Sequence, residues 1–327
     1  MRPEPASAAP PRSTWRAVWR AAAWLAALGV AAIAACWQLR PDHPALDVLT
    51  HLAEPVRPLA FLAAGAMLAL RLRGPALSIL LAASALTIGM ATEHRPAHAD
   101  DRAELTVYSA NLWWENENVD ATAASIAAAN ADVVVLIELG DAQSEALDRL
   151  LAGYPNRVTT PRVGWRRGAS RNVIASRLPL EKIEDTGDGL AVVSARLRLP
   201  DGTNLRVLGA HLTRPWPLRA HYAQPWQAVR LAERVGASAE PTLLVGDFNA
   251  APHGRAVTRV EARTPLRAAA GEGGTWPRLA PPWLRVTLDE VLASPQVRVR
   301  SRRLGQPNGS DHLPVIVDLD LTPAAPP

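Results

Sequence analysis

The chain has 327 residues, which leaves room for two folded units at most. Its 48% hydrophobic and 20% charged residues exclude a disordered chain, and its one cysteine, Cys36, excludes both a disulfide framework and a multi-cysteine metal site. The net charge of +4 invites a nucleic-acid reading, so where that charge lies matters.

Hydrophobicity concentrates at the start of the chain. Residues 21–39 and 74–92 carry no charge, and each run is close to the ~20 residues that cross a bilayer as a helix. Between them, Pro58–Leu70 is a shorter apolar run bounded by Arg57 and Arg71, whose side chains can snorkel to the interface. None of the three shows the amphipathic period of a soluble surface helix. The expectation is an N-terminal membrane anchor over 1–95 with about three transmembrane helices, near 17–39, 56–72 and 74–92. Arg2, Arg12, Arg16 and Arg20 precede the first span, and Arg71 and Arg73 link the second to the third. The loop carrying Arg40, Asp42, Asp47, Glu54 and Arg57 is near neutral. This bias places the N-terminus and the 71–74 turn inside, and everything after about residue 93 outside the plasma membrane. Trp15, Trp19 and Trp37 fall near the ends of the first span, as interfacial anchors do. Two processing signals compete with this topology. Ile33-Ala34-Ala35-Cys36 resembles a lipoprotein cleavage box, and Ala97-His98-Ala99 resembles a signal-peptidase site whose use would release the rest of the chain.

Residues 101–322 read as one α/β domain, followed by a disordered Pro- and Ala-rich tail at 323–327. Apolar runs bounded by turn residues predict strands at 105–112, 132–139, 172–178, 190–199, 204–212, 242–248, 287–293 and 314–321. Helices are predicted at 119–130, 141–152 and 222–236. Strands outnumber helices, so sheet layers should pack together with helices outside.

Polar residues collect where these strands end. Asn111, Glu138 and His211 close the first, second and fifth strands, and Asp247 and Asn249 follow the apolar run LLVG. Asp289 lies within an apolar strand, and Asp311-His312 precede the last one. Strand ends of α/β layers are where sites are usually built. An oxygen-rich set suits a hard divalent cation, and a histidine supported by a carboxylate can activate water. Taken singly, each of these residues reads as a turn or a local ion pair, and only the ordered set points to chemistry.

That set resembles the endonuclease/exonuclease/phosphatase superfamily. SANL (109–112), DVVVLIEL (132–139), NVIASRLPL (172–180), GAHL (209–212), LLVGDFNAAP (243–252), TLDEVLAS (287–294) and GSDHLPVIVDL (309–319) match its motifs in family order. The resemblance implies a four-layer α/β/β/α sandwich and a phosphoester hydrolase dependent on Mg²⁺ or Mn²⁺. It implies Asn111, Glu138 and Asp311 as metal ligands, with His211 and Asn249 on the scissile phosphate. It implies Asp247 as the residue that positions or deprotonates water, and His312, oriented by Asp289, as base or phosphate ligand. Asn172, Arg177 and Trp216 are the implied substrate contacts. Glu290 departs from the pattern, since the family often has histidine after the late aspartate.

The charge divides unevenly. Residues 1–100 hold nine Arg against six acids, so the remainder has 26 basic against 25 acidic residues. Most of the basic excess is therefore a topology signal, although Arg162, Arg166, Arg167 and Arg171, and Arg298, Arg300, Arg302 and Arg303, form two local clusters. The second cluster reads as a solvated strand. Tryptophans at 216, 226, 276 and 283 fit either a core short of aromatics or a surface seated in lipid headgroups. Three spans before an outward-facing domain of this kind resemble the membrane phosphatases of teicoplanin resistance, which are associated with undecaprenyl pyrophosphate. The leading expectation is a phosphoesterase tethered to the bilayer and acting on a lipid-linked phosphate or pyrophosphate. The alternative is a tethered nuclease or phosphodiesterase. No protein partner is inferred.

Overall fold

The computed structural model describes residues 12–93, 103–161, 171–184, 189–215, 223–236, 238–271 and 273–321. Trp216, the 97–99 triplet, Arg162, Arg166, Arg167 and the 323–327 tail lie outside the described residues.

The chain begins with four helices, α1 (Arg12–Leu39), α2 (Pro44–His51), α3 (Ala53–Ala69) and α4 (Arg73–Glu93). Ala and Leu dominate them, and both are strong helix formers. His43 caps α2 through Nδ1, which accepts from the Ala45 amide at 3.3 Å, and Pro44 starts the helix where its missing N–H is harmless. Two stretches, Trp15–Leu39 and Arg73–Met90, are long and apolar enough to cross a membrane. The expected middle span is α3, which has only 17 residues and meets α2 at 63°, so a third span requires the bent pair to act as one. Ala27, Ala60, Ala64 and Ala83 pack with Ile79 between the helices, the small-residue contact that lets apolar helices approach closely. Trp24 lies against Gly74, and Gln38 Nε2 donates to the Ala85 carbonyl at 3.2 Å. Helices α1 and α4 therefore run parallel.

The rest is a sandwich of two six-stranded sheets. One has the order β11-β12-β1-β2-β4-β3, the other β5-β6-β7-β8-β10-β9. The first comprises β1 (Leu105–Asn111), β2 (Val133–Leu139), β3 (Asn156–Thr159), β4 (Arg171–Ser176), β11 (Val297–Leu304) and β12 (Val315–Leu321). The second comprises β5 (Leu180–Lys182), β6 (Ala191–Arg198), β7 (Asn204–His211), β8 (Thr242–Asp247), β9 (Arg267–Ala268) and β10 (Asp289–Ala293). Val107, Val135 and Ile137 face Val193, Val207 and Val245 across the centre. Tyr108 and Leu136 face outward under α5 (Val119–Ala129) and α7 (Leu147–Leu150). Leu208, Leu244 and Phe248 pack under α8 (Ala223–Gly236) and α9 (Arg255–Arg263). With both faces covered, central strands such as VVVLIEL read as unbroken apolar runs rather than as alternation. Each large side chain buried this way contributes roughly 1.5–3 kcal/mol.

At the centre of each sheet is a parallel pair with a helix in its crossover, β1 with β2 and β7 with β8. Register sets Asn111 beside Ile137 and His211 beside Asp247, so each pair ends together at one edge of the sandwich. The predicted helix 141–152 is two short pieces, α6 (Asp141–Glu145) and α7, meeting at Ala146. β11 carries the second Arg cluster, and Arg300 and Arg303 meet Asp320 and Asp318 of β12 at 3.4 and 3.8 Å.

The helices dock directly on the sandwich. Asp42 takes Arg255 and Arg259 at 2.6 and 2.9 Å. Asp47 accepts the Arg255 amide at 2.7 Å, capping an α9 whose own N-cap, Gly254, has no side chain to offer. Glu54 accepts both the amide and the hydroxyl of Thr287, at 2.5 and 2.8 Å. His51 Nε2 lies 3.3 Å from the Asn249 carbonyl, and His253 stacks on Trp37 with ring centres 4.2 Å apart.

Candidate active site

Backbone geometry aims the site residues. The local sequence Gly246-Asp247-Phe248-Asn249 makes a tight turn after β8. Gly246 has φ +134°, and a Cβ there would sit 2.1 Å from the Ala210 carbonyl oxygen, so only glycine fits. Asn249 is left-handed at φ +48°, an ordinary position for asparagine, and its amide donates to Asp247 Oδ1 at 2.7 Å. Glu138 and Trp113 also have positive φ, +58° and +55°. Such conformations in residues other than glycine and asparagine are held by their surroundings and gather at functional sites.

Seven of the sequence-selected residues line one cavity of about 470 Å³: Asn111, Glu138, His211, Asp247, Asn249, Asp311 and His312. His211 stands near the middle, with Nε2 3.7 Å from Glu138 Oε1, 3.9 Å from Asp247 Oδ2 and 3.5 Å from Asn249 Nδ2. Asp247 Oδ2 accepts from Asn111 Nδ2 at 2.9 Å and Asn249 Nδ2 at 3.2 Å. His312 bridges two carboxylates, with Nδ1 2.8 Å from Asp289 and Nε2 3.8 Å from Asp247. Asp311 Oδ2 accepts from the Trp276 indole at 3.0 Å.

Two substrate-contact expectations are corrected. Asn172 is buried and spends its amide within the fold, accepting from the Glu138 amide at 3.3 Å and donating to the Ala191 carbonyl at 3.0 Å. It ties the Glu138 turn to the second sheet instead of lining the cavity. Arg177 stands at the far end of the sheet. The β2–β4 pairing is antiparallel, with Val133 beside Ser176 and Leu139 beside Arg171, so the end of β4 is remote from Glu138. Arg177 donates to Asn130 at 2.7 Å and lies over the Tyr154 ring. The cavity also uses Thr213 and Arg214, which follow His211, and two residues that the sequence did not single out, Trp113 and Trp114. Trp113 and Trp114 directly follow the first-strand motif, and that adjacency was the available signal.

The charge states follow from burial and neighbours. Burial pushes the Asp247 carboxyl up, Asp289 adds to this, and the two histidines oppose it, leaving it near 6. Burial works against a charged His312, but Asp289 and Asp247 outweigh it and raise His312 to about 10. Burial likewise opposes a charged Asp289, yet His312 holds that carboxyl below its ordinary value. At neutral pH the arrangement is an imidazolium clamped by Asp289 beside a largely ionised Asp247.

The donor chemistry suits a divalent cation in either of two groups. Asp247, Asp289 and His312 have ligand atoms within 4.8 Å of one another. The carboxylate of Glu138 accepts no hydrogen bond from the described residues, and it shares the cavity with Asn111 and Asp311. Hard oxygens of this kind are what Mg²⁺ and Mn²⁺ take.

A two-sheet sandwich with this cavity at the ends of its central strands defines a metal-assisted hydrolase. Residues 108–312 match the model of the Endonuclease/Exonuclease/phosphatase family. The chain belongs to that family, whose members are metal-dependent hydrolases acting on phosphate esters. Solved structures share the fold. An endonuclease/exonuclease/phosphatase from Beutenbergia cavernae is 23% identical with a TM-score of 0.53, over 66% of this chain and 71% of that one. The mannosyl-6-phosphatase Bt3783 of Bacteroides thetaiotaomicron is 16% identical with a TM-score of 0.53, over 66% and 99%. The catalytic domain of human Nocturnin, with bound sulfate, is 18% identical with a TM-score of 0.51, over 67% and 93%. No protein of curated function matches the chain in sequence.

Proposed function

We propose that this protein is a membrane-anchored phosphoesterase that hydrolyses a lipid-linked phosphate or pyrophosphate at the outer face of the plasma membrane. The observation that carries the reading is where the helices dock. His51 bonds the carbonyl of Asn249, and Glu54 bonds Thr287, two residues before Asp289, so the helix ends and the cavity share one edge of the sandwich. A bilayer around α1 and α4 would then lie beside the cavity mouth. Orientation is supported by the parallel run of α1 and α4, which puts Arg16 and Arg20 at the same end as Arg71 and Arg73, opposite the sandwich. A nucleic-acid substrate gains little support from β11, where Arg300 and Arg303 face acids of β12.

Asn111, Glu138 and Asp311 are the proposed cation site. In the alternative trio His312 and Asp289 are already engaged with each other at 2.8 Å, whereas the Glu138 carboxylate accepts no hydrogen bond from the described residues. A cation bound there would polarise a phosphoryl oxygen and offset its developing charge. His211, Asn249 and the His312 imidazolium would hold the phosphoryl oxygens. Asp289 and Asp247 favour a protonated His312, so in this reading Asp247, held by the amides of Asn111 and Asn249, takes the proton of the attacking water.

The test is direct. Detergent-purified protein with Mg²⁺ is assayed for phosphate release from a long-chain polyprenyl pyrophosphate and for nicking of supercoiled plasmid. Release without nicking is expected, and nicking without release would sink the lipid reading. A topology reporter fused after residue 100 should report an outside location.

A further inference from the structure

A second cavity, of about 270 Å³, lies in the seam between the helices and the sandwich. It is separate from the catalytic one. Asp289 and Glu290 are consecutive residues of β10, so their side chains leave on opposite faces of the sheet. Asp289 goes to His312, while Glu290 lines the seam. Glu290 is 2% exposed, and its Oε1 has no hydrogen-bond partner among the described residues, which is an unusual state for a buried polar atom. Of the charged groups that line the same space, Glu54 is bonded to Thr287, Arg40 meets Glu261 and Arg302 holds the Asp289 carbonyl, whereas Arg57 and Arg285 have donors to spare. Arg57 has the sulfur of Met90, at 3.4 Å, as its only hydrogen-bond partner among the described residues. Among the described residues the Arg285 side chain uses only its Nε, on the Ala280 carbonyl at 2.9 Å. Trp37 and Met90, near the C-terminal ends of α1 and α4, form apolar wall, and half-exposed Trp283 completes it.

Two guanidinium groups with spare donors call for an anion, and the unpartnered Glu290 Oε1 calls for a hydrogen-bond donor on the same ligand. The apolar wall at the helix ends places that ligand at the depth of bilayer headgroups, where tryptophan is enriched. We propose that the seam cavity binds the headgroup of a membrane phospholipid. Its phosphodiester would sit on Arg57 and Arg285, and its terminal hydroxyl or ammonium on Glu290. The occupant would be a resident lipid and not the substrate. It would lie one residue from the carboxylate that orients His312, and beside Arg302, which donates to the Asp289 carbonyl at 2.9 Å. The inference rests on reading α1 and α4 as spans, and goes beyond the proposed reaction.

The full chain is purified in mild detergent and examined by native mass spectrometry. The wild type should retain about one phospholipid per chain, and 10 mM inorganic phosphate should not displace it. Arg57→Gln with Arg285→Gln should cut retention at least tenfold, and Glu290→Leu should reduce it too. Asp247→Asn should retain lipid as the wild type does, which separates this site from catalysis. Equal retention in the double variant overturns the proposal. So does full displacement by phosphate, which would mark a site for a soluble anion. If the double variant fails to fold, the wild type decides alone, because absence of stoichiometric lipid also overturns the proposal. Unchanged lipid in Glu290→Leu with a higher melting temperature would overturn the contact assigned to Glu290. Resistance of every variant to carbonate extraction checks membrane integration independently, and hydrolysis of a soluble aryl phosphate checks the reaction.

Discussion

The two sheets offer the site equivalent positions and fill them with different chemistry. In the first, the parallel pair β1 and β2 ends in Asn111 and Glu138; in the second, β7 and β8 end in His211 and Asp247. The side chain of Glu138 is 21% exposed and accepts no hydrogen bond from the described residues, whereas that of Asp247 is 2% exposed and bonded by two asparagine amides. One carboxylate is therefore available to a cation, and the other is desolvated and tuned towards neutral pH. In the proposed reaction, burial at otherwise matched strand ends is what separates a ligand from a proton acceptor.

That comparison breaks most visibly at Asp247. Asp247→Asn should lower kcat by about 10²–10⁴-fold with the fold intact by circular dichroism. A smaller loss would move the base elsewhere. The pH profile sharpens the same point. Activity should rise through about pH 6 as Asp247 loses its proton and fall near pH 10 as His312 loses its own. Asp289→Asn removes a charge that raises His312, so the upper limb should shift to lower pH. Stability follows His312 with a definite sign. Its pKa is raised on folding, so its contribution is complete below its unfolded value of about 6.5 and lost as pH climbs through about 10. Chemical denaturation at pH 6, 8 and 10 measures this.

On the first sheet the effects should fall on cation affinity. Glu138→Gln should raise the Mg²⁺ concentration for half-maximal activity by at least about tenfold, and Asn172→Ala, acting through the Glu138 turn, by less. Metal titration of activity compares them. Arg177→Ala should leave kcat within about twofold and cost only about 0.5–1 kcal/mol of stability, the range of an exposed cation–π contact.

Much of this molecule was legible in its sequence. Eight apolar runs became the principal strands, because two-sided burial leaves an uninterrupted signal. Glycine at Gly246 and the polar strand ends made the site readable as a pattern. The losses have physical causes. β3, β5 and β9 are too short to show a period, and α9 (RAVTRVEAR) is so rich in arginine that its narrow apolar face, Ala256, Val257 and Val260, is hidden. Arg177 misled because motif adjacency says nothing about which end of an antiparallel strand reaches the cleft. Asn172 misled because an internal amide bridge looks, in sequence, like a free asparagine. The docking of α2 and α3 left no trace at all, since Asp47 and Glu54 read as loop charges until Arg255 and Thr287 meet them.

Those meetings bear on what a cut between Glu93 and Leu105 would do. The sandwich would still be held by the contacts of Asp42, Asp47, His51 and Glu54, and by the His253 ring on Trp37. A nicked chain would behave as two fragments of one body, co-purifying until salt and detergent prise them apart. Shedding would then demand two events, breakage of the backbone and surrender of a polar seam.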